Sequence, residues 1–430
     1  MAEPLRILQV HNQYRPIRGG EETVVGLEAD LLRQRGHQVE RLSVWTGELN
    51  GAGALRLVAA GFGTVWSVRG YSAVKRAIKE FSPDIVHVHN TFPLLSPSVF
   101  WAAASEGVPV VQTLHNFRLT CANALLLRND VPCQRCVGRF PVPALRYRCY
   151  HRSLWQTAAV TTQTVVHNWL GTFQNKVHAY IVLTEFSKEI MRRCGLPADR
   201  LYVKPNFVTD PGEPVSVRYR TVAFVGEISR PKGVHLLLQA WSSVAPIGYR
   251  LIIIGDGPDR GDLERRYMGN ESIVWQGSMP RSSVIEAIRT SRWLVLPSLA
   301  YENFPMVIVE ALSAGTPVVV PNHGAFSAIV SDERNGLWFS AGSAASLADV
   351  LQTALNADER SWYAWSLNAR NKFLREYTDQ TSYARLFWIY QRATACCEAT
   401  AARIRVSRES SSRAVVSIPE RERQDLERRA

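Results

Sequence analysis

The stretch YENFPMVIVEALSAGTPVVVP, residues 301–321, combines a helical pattern with a following strand pattern, and both are almost entirely apolar. Residues 307–312 leave little polar surface, so the helix that they predict is buried on most sides. Two glutamates nevertheless lie eight positions apart, and a buried carboxylate is costly unless it has a partner. Pro305 suits the first position of a helix, which places Glu302 in the preceding loop beside unpaired amides and Glu310 inside the helix. The segment therefore predicts a ligand with hydroxyl groups for the carboxylates and phosphate or sugar oxygens for the amides.

Short apolar strands alternate with helical patterns on both sides of this segment. Strands that alternate with helices of about a dozen residues indicate βαβ units and a mostly parallel sheet. A segment with three prolines, 204–216, lacks periodicity and is interpreted as a linker between two such domains. The predicted strands are 6–10, 38–44, 84–90, 109–116 and 179–184 before the linker, and 221–226, 250–255, 272–277, 292–298 and 316–321 after it.

These patterns predict an α/β protein with two doubly wound, Rossmann-like domains that face a central cleft. Ligands bind in such folds outside the carboxyl ends of the strands. The tail is rich in Arg, Ser and Glu and is expected to be disordered. The expected boundaries are 1–207 for the first domain with a basic, cysteine-containing insertion at 117–178, 208–375 for the second domain, 376–398 for a helix that crosses back to the first domain, and 399–430 for the disordered tail.

The chain has 430 residues, of which 46% are hydrophobic and 20% are charged, and this composition is typical of a soluble globular protein. The first residues lack the layout of a signal peptide, and no apolar stretch approaches the roughly 18 residues of a membrane span, so a cytoplasmic protein is expected. The net charge is +12, and residues 1–200 hold 23 Lys and Arg against 14 Asp and Glu. This basic half suits an anionic membrane surface or an anionic substrate, although a simply solvated basic face also accounts for it. Nucleic acid is not expected, because no recognition-helix, RRM-like or zinc-finger pattern is present.

Four of the seven cysteines cluster in the insertion, at Cys121, Cys133, Cys136 and Cys149. Without an export signal, disulfides are not expected, and four thiolates would suit a closed tetrahedral zinc site. The central C-x-x-C pair has the spacing of a zinc knuckle, but a second such pair is missing. The alternatives are therefore a structural zinc ion and four reduced cysteines packed in the core.

One glycine motif invites a misleading interpretation. GDGPDRG, residues 255–261, follows a strand and precedes a helix, as in dinucleotide-binding domains. Its spacing is G-x-G-x-x-x-G, however, and the acidic residue expected at the end of the next strand is missing. We interpret it as a turn followed by a helix cap, so NAD is not expected.

Three strand-to-helix loops carry further candidates for ligand binding. Gly19 and Gly20 let the backbone approach an anion at the start of the first helix, although a plain tight turn gives the same pattern. Arg230 and Lys232 lie in the corresponding loop of the second domain, where they could hold a diphosphate or could simply be solvated. His115 ends a strand at the cleft, with His87 and His89 as alternatives, and a structural role is the competing explanation for each.

The combination of these motifs resembles the retaining glycosyltransferases of family 4, which have the GT-B fold. ENFPMVIVE matches their E-x7-E motif, and VGEISRPKG, GDGP, AGTPVVVP, PNFV, the Gly-Gly loop and the strand-end histidine match from residue 6 to about 395. LHNFRLTCAN and the cysteine cluster resemble a subset of that family. One residue departs from the pattern, because Glu227 stands where the family usually has an arginine beside the diphosphate.

The resemblance implies a role for each matching residue. Glu310 would bind the ribose of a nucleotide, and His115 would contact the donor sugar. Glu302, with the amides of Asn303 and Phe304, would hold that sugar near its reacting carbon. The diphosphate would be bound by Gly19, Gly20, Arg230 and Lys232.

The implied reaction transfers a sugar from a nucleoside diphosphate to an acceptor hydroxyl with retention of configuration, in cell-surface polysaccharide or glycolipid synthesis. No cofactor is expected for catalysis, because Lys232, Arg230 and helix amides can stabilise the leaving diphosphate. The alternatives are a catalytically silent protein that binds sugar nucleotides, which Glu227 permits, and an epimerase or phosphorylase of the same layout. A lipid-linked acceptor at the inner face of the membrane would suit the basic and aromatic residues of the insertion, which are Arg118, Arg128, Arg135, Arg139, Arg146, Arg148, Arg152, Phe117, Tyr147, Tyr150 and Trp155.

Overall fold

The computed structural model describes residues 3–13, 20–49, 61–215 and 217–416, with side chains in the last helix described as far as 400 and at 402. Within these residues the chain forms two six-stranded parallel sheets and one two-stranded hairpin. None of the described helices is both long enough and apolar enough to span a bilayer. The two-domain α/β architecture predicted from the sequence is confirmed.

The first sheet has the strand order β2-β1-β3-β4-β7-β8, and the hairpin pairs β5 with β6. The strands are β1 (Arg6–Gln13), β2 (Gln38–Trp45), β3 (Ile85–Asn90), β4 (Val110–Thr113), β5 (Leu127–Arg128), β6 (Val131–Pro132), β7 (Ala179–Val182) and β8 (Leu201–Val203). The helices are α1 (Gly20–Gln34), α2 (Val68–Phe81), α3 (Ser98–Ser105), α4 (Val142–Arg146), α5 (Leu154–Trp169), α6 (Thr172–Asn175) and α7 (Glu185–Arg193). Hydroxyl side chains cap the starts of α2, α5 and α7, which explains why these helices begin at their observed residues.

The second sheet has the order β11-β10-β9-β12-β13-β14, which is 3-2-1-4-5-6 when its strands are counted from one. The strands are β9 (Tyr219–Val225), β10 (Arg250–Ile254), β11 (Ile273–Gly277), β12 (Ser291–Val295), β13 (Val318–Pro321) and β14 (Gly336–Phe339). The helices are α8 (Val234–Val244), α9 (Arg260–Arg266), α10 (Arg281–Thr290), α11 (Met306–Ser313), α12 (Phe326–Ile329), α13 (Ala344–Asn356), α14 (Glu359–Glu376) and α15 (Asp379–Val416). This is the standard doubly wound order, and its direction reverses between β9 and β12, where such sheets bind ligands.

Buried strands form the core of each domain. β3, β4, β7, β12 and β13 are buried along their whole length, as expected for parallel strands covered by helices on both faces. One hydrophobic cluster joins residues of both sheets, including Ile7 of β1, Leu294 of β12 and Ile308 of α11. The last strand of each sheet, β8 and β14, was not predicted, because these three- and four-residue strands are too short for a clear pattern.

The last helix, α15, packs against the first sheet. The hydroxyl of Tyr390 lies 2.9 Å from Nδ1 of His87, and the hydroxyl of Tyr383 lies 2.8 Å from Nε2 of His37. The expectation of a disordered tail from 399 is corrected, because α15 continues as far as Val416. Ala, Arg and Glu favour helix without apolar periodicity, and extending an existing helix requires no new nucleation. Residues 417–430 of that prediction lie outside the described residues.

Candidate active site

The loop after β9 and the loop after β12 leave the second sheet at its switch point and pack against each other. The amide of Leu299 donates to the carbonyl oxygen of Pro231 at 2.8 Å. Gly233 has a φ of 71°, and a Cβ there would lie 1.9 Å from the carbonyl oxygen of Pro297. Only glycine permits this backbone conformation and this approach. The sequence of the two loops therefore fixes them side by side.

This packing brings Lys232 to Glu302. The Lys232 ammonium donates to Oε1 of Glu302 at 2.6 Å, and Oγ of Ser298 donates to the same oxygen at 2.8 Å. Burial acts to raise the pKa of Glu302, but Lys232 and the two hydrogen bonds outweigh it, so the pKa is lowered and the carboxylate is charged at neutral pH. The two side chains keep 34% and 19% of their surface exposed, so a ligand can still reach them.

The start of α11 faces the start of α1 across the cleft. Pro305 is the N-cap of α11 instead of its first helical residue, and the helix begins at Met306. Among the described residues, no acceptor pairs with the amide of Phe304 or Met306, as is usual for the first turn of a helix. A Cβ built on Gly20 would lie 3.7 Å from Cγ of Met306, so both helix starts border one space. Gly19 lies outside the described residues.

The side chains of Asn303 and Phe304 support the site from behind. Nδ2 of Asn303 donates to the carbonyl oxygen of Leu114 at 2.7 Å, and its Oδ1 accepts from Oγ of Ser187 at 2.5 Å, both in the first domain. Phe304 is buried in the shared core and contacts Tyr377 edge to face. Their side chains therefore position the loop, and only their backbone amides are available to a ligand.

Glu310 lies one turn inside α11 and has a different partner. Nη2 of Arg281, the first residue of α10, donates to its Oε1 at 2.6 Å. Burial raises the pKa of Glu310, and Arg281 only partly offsets this effect. Glu310 and Arg281 also line a cavity of about 120 Å³ together with the linker residues Val208 and Thr209.

Arg230 is bound to the insertion. Its Nε donates to Oδ2 of Asp130, at the turn of the β5–β6 hairpin, at 2.6 Å, with 61% of the arginine side chain exposed. Glu227 is exposed in the same loop and accepts a long hydrogen bond of 3.4 Å from Oγ of Ser229.

His115 belongs to a row of histidines at the carboxyl ends of β3 and β4. Its Nε2 shares a 3.0 Å hydrogen bond with Nδ1 of His89. Burial, followed by the neighbouring His11, lowers the pKa of His115 to about 3, so its imidazole is neutral at physiological pH. Beneath the row, the ammonium of Lys204 donates to Oε2 of Glu28 at 3.0 Å. His115 thus has a neutral ring beside a small space that it lines with other residues of the first domain.

The GDGPDRG segment is a packing turn. A Cβ on Gly255 would lie 1.9 Å from the carbonyl oxygen of Gly226, and one on Gly257 would lie 2.4 Å from that of Ile228. The amide of Ile228 donates to the carbonyl oxygen of Asp256 at 2.9 Å. These glycines therefore allow the loop after β10 to support the Lys232 loop.

The four clustered cysteines line one small cavity of about 20 Å³ in the insertion. No three of their sulfur atoms all lie within 4.8 Å of one another. Burial, followed by the nearby thiols of Cys149 and Cys133, raises the pKa of Cys136. We call this space the cysteine cavity.

A larger cavity of about 420 Å³ lies between the first part of the insertion, its helix α5 and the end of α7. Arg118, Arg139 and Arg193 line it, together with Thr164 and other polar and apolar side chains. Arg118 and Thr164 also line the smaller space that contains His115, so the two spaces adjoin.

Sequence reasoning missed Arg281, Ser298 and Asp130 as partners of the predicted residues. Arg281 lies 29 residues from Glu310, and Asp130 lies 100 residues from Arg230. No local pattern signals such contacts. The only available sign was that Arg281 begins a helix after a strand, as the other site residues do.

Two doubly wound domains, with strand-end loops that meet across one cleft, define the GT-B class of glycosyltransferases. A family model described as Glycosyltransferase Family 4 matches residues 18–210, and one described as Glycosyl transferases group 1 matches residues 210–372. Together they span 355 of the 430 residues. The chain belongs to glycosyltransferase family 4.

Known proteins agree with this assignment. Over 356 residues the chain is 27% identical to phosphatidyl-myo-inositol mannosyltransferase of Mycobacterium leprae, covering 79% of this chain and 84% of the relative. Sucrose-phosphate synthase of Thermosynechococcus elongatus has a TM-score of 0.67 at 17% identity, covering 91% and 99% of the two chains. Anabaena Alr3699/HepE in complex with UDP and glucose has a TM-score of 0.61 at 17% identity, covering 89% and 98%. At such identities the two structures show the shared fold.

Proposed function

We propose that this glycosyltransferase moves a sugar from a nucleoside diphosphate to an acceptor hydroxyl and retains the anomeric configuration. The observation that carries the proposal is the Lys232–Glu302 pair, which is partly exposed and lies beside the start of α11, opposite that of α1. A cation and two helix starts suit a diphosphate, and a charged carboxylate suits sugar hydroxyls. The structural relative from Anabaena holds UDP and glucose, which supports a donor of this kind.

The diphosphate would be bound by Lys232, Gly20 and the amides of Phe304 and Met306. Lys232 now donates to Glu302, and a phosphate oxygen would accept a further hydrogen bond from the same ammonium, which has three N–H donors. Arg230 would assist from the rim. Fixed positive groups at this position stabilise the charge that develops on the departing diphosphate.

The nucleoside would lie towards Glu310. Its carboxylate would accept hydrogen bonds from the ribose hydroxyls in addition to its contact with Arg281. Burial raises the pKa of Glu310, and Arg281 lowers it. Since ribose hydroxyls carry no positive charge, Arg281 would be the group that favours the ionised carboxylate in the complex.

The donor sugar would lie between Glu302 and the neutral ring of His115. In the transfer, the bond between the anomeric carbon and the phosphate oxygen breaks, and the acceptor oxygen forms a new bond to the same carbon. The acceptor proton passes to an oxygen of the leaving diphosphate, so no separate base is required. A neutral His115 can donate or accept a hydrogen bond without adding a positive charge beside the developing cation.

The acceptor would enter through the cavity of about 420 Å³ that adjoins His115. Its three arginines suit an anionic acceptor, such as a lipid-linked diphosphate sugar of polysaccharide or glycolipid synthesis. Trp155 and Trp169 lie fourteen residues apart on one face of α5, and each is 84% exposed. Exposed tryptophans beside exposed arginines suit a membrane surface on the cytoplasmic side.

Co-sedimentation with vesicles tests the membrane proposal. Anionic vesicles should bind the protein more strongly than neutral ones, and the double substitution Trp155→Ser and Trp169→Ser should weaken that binding. Equal binding to both kinds of vesicle would reject the electrostatic part of the proposal.

A panel of nucleotide sugars tests the donor proposal. The matched donor should raise the melting temperature, since a ligand of the folded state stabilises it. Turnover with an acceptor, followed by NMR of the product, should show the donor's anomeric configuration. Binding without turnover would favour a catalytically silent partner, which the exposed Glu227 in the diphosphate loop makes worth testing, and conversion of the donor without an acceptor would favour an epimerase.

A further inference from the structure

The first part of the insertion has little regular secondary structure. Between β4 and α5 it contains a hairpin of two-residue strands and the five-residue helix α4. Phe117, Leu126 and Val137 join the main core of the first domain, and a separate apolar cluster of four buried residues lies beneath the segment. The hairpin and α4 have little core of their own, and a cross-link or a metal ion is a common way to hold such segments. Within this segment, seven non-glycine residues have left-handed backbone conformations, and these are Ala124, Leu126, Asn129, Asp130, Arg148, His151 and Arg152.

The cysteine cavity lies where the separate parts of this segment meet. Cys121 precedes the hairpin, Cys133 and Cys136 follow it, and Cys149 follows α4. The amide of Cys133 donates to the carbonyl oxygen of Leu126 at 2.7 Å, which fixes it at the base of the hairpin. A single ligand bound to all four sulfur atoms would therefore cross-link the hairpin, the following turn and the end of α4.

The size and chemistry of the cavity point to one metal ion. A volume of about 20 Å³ admits a single water-sized guest. Among the described residues that line it, no imidazole or carboxylate accompanies the thiols, and soft sulfur ligands alone favour zinc. Zinc with four thiolates has a net charge of −2, and the cavity is lined by two guanidinium groups, those of Arg128 and Arg135.

We propose that the cysteine cavity binds one structural zinc ion through the thiolates of Cys121, Cys133, Cys136 and Cys149. Sulfur atoms about 2.3 Å from a tetrahedral zinc ion lie about 3.8 Å from one another. The four side chains must therefore turn inward as zinc binds, and the thiols release their protons.

Zinc at this position would also support the contact between the two domains. Asp130 at the tip of the hairpin pairs with Arg230, and Leu127 of β5 packs against Leu299 and Ala300. Leu299 in turn donates to the carbonyl oxygen of Pro231 in the Lys232 loop. The zinc ion would hold the hairpin against the loop that carries Lys232.

Metal analysis of the purified full chain tests the proposal. We expect about one zinc ion per chain by inductively coupled plasma mass spectrometry. Replacement by Co²⁺ should give the visible spectrum of a tetrahedral site and a thiolate-to-cobalt charge-transfer band. A chelator should lower the melting temperature, and Zn²⁺ but not Mg²⁺ should restore it.

Matched serine variants locate the site. Cys136→Ser should lose most of the zinc and the charge-transfer band, whereas Cys396→Ser, on α15 and outside the cysteine cavity, should keep both. If Cys136→Ser does not fold, the cobalt spectrum of the unaltered chain still decides the question. A folded chain without zinc, with a melting temperature unaffected by chelator or Zn²⁺, would overturn the proposal in favour of four packed thiols. Iron in place of zinc would overturn it in favour of an iron site.

Discussion

Each domain contains a lysine–glutamate pair whose lysine lies beyond the carboxyl end of a strand, and the two pairs differ in how much of their side chains is exposed. In the first domain, Lys204 and Glu28 are 2% and 1% exposed. In the second, Lys232 and Glu302 are 34% and 19% exposed. The lysine-to-carboxylate distances are similar, at 3.0 Å and 2.6 Å. The difference between the pairs therefore lies in what can reach them.

The neighbours of each pair explain the difference. Glu28 lies beside His87 and His89, and His87 also contacts the hydroxyl of Tyr390 on α15, so this pair is enclosed by buried side chains. Among the described residues, Ser298 is the one further hydrogen-bond partner of Glu302, which lies in the loop that leads to the start of α11. We call Lys204 and Glu28 the closed pair, and Lys232 and Glu302 the open pair. The closed pair should maintain the fold, and the open pair should bind the ligand.

The largest expected effect concerns the stability of the closed pair. Glu28→Gln leaves the Lys204 ammonium buried without a counter-charge, which should lower the free energy of unfolding by about 3–5 kcal/mol. Urea denaturation measures this change, with the exposed Glu40→Gln as the control, expected within about 0.5 kcal/mol of the unaltered chain. A Glu28→Gln variant as stable as the control would remove the distinction between the two pairs.

The same variant gives a defined pH dependence. Burial acts to raise the pKa of Glu28, but Lys204 and His87 hold it well below the ordinary value of 4.5. A lowered carboxyl pKa contributes stability that is complete above pH 4.5 and is lost as the pH falls towards the folded-state pKa. The stability gap between the unaltered chain and Glu28→Gln should therefore be constant from neutral pH down to about pH 5 and should narrow only below it.

The open pair should affect catalysis instead of stability. Lys232→Met removes the cation proposed to face the leaving diphosphate, so kcat/KM should fall about 100- to 1,000-fold, or about 2.7–4 kcal/mol. Steady-state kinetics measure the loss, and Lys79→Met on the surface of α2 is the matched control. Unchanged kinetics with lowered stability would assign a structural role to Lys232, like that of Lys204, in place of a catalytic one.

Glu310→Gln should have a smaller effect on the same ligand. A hydrogen bond from ribose to a charged carboxylate contributes about 1.5–3 kcal/mol, so affinity for the nucleotide should fall about 10- to 100-fold. Because the contact is to the nucleoside and not to the reacting centre, KM should rise more than kcat falls. Unchanged nucleotide affinity would count directly against the assignment of Glu310.

The smallest effect is expected for the exposed arginine of the diphosphate loop. Arg230 is 61% exposed, so solvent weakens its pair with Asp130, and Arg230→Gln should change stability by less than about 1 kcal/mol. Catalysis should fall only several-fold, far less than for Lys232→Met. A loss as large as that of Lys232→Met would mean that Arg230 replaces the arginine absent at position 227.

Local patterns predicted much of this molecule. The Lys232 loop and the E-x7-E segment could be placed because each follows a strongly apolar strand, and the carboxyl ends of parallel strands share one edge of a sheet. The sequence also indicated that Gly255 and Gly257 form a turn, because the glycine spacing of residues 255–261 does not match that of dinucleotide-binding motifs. The sequence also predicted that Glu310 lies inside a buried helix, as observed.

Other features depend on contacts that no local pattern records. The partner of Glu310 comes from α10, and that of Arg230 comes from the insertion. The side chain of Asn303 donates to a backbone carbonyl oxygen of the first domain. This contact depends on how the two domains pack, which a local sequence pattern does not record. The helix beyond residue 399 was missed because polar residues with good helix propensity give no apolar signal.

The most direct test of the open pair is calorimetric titration of UDP and GDP into the unaltered chain and Lys232→Met. We predict that at least one of the two nucleotides binds the unaltered chain, and that the Lys232→Met variant loses most of this affinity while Lys79→Met keeps it. If neither nucleotide binds, the donor carries neither uridine nor guanosine, and if one binds both lysine variants equally well, the open pair is not the site of a nucleoside diphosphate.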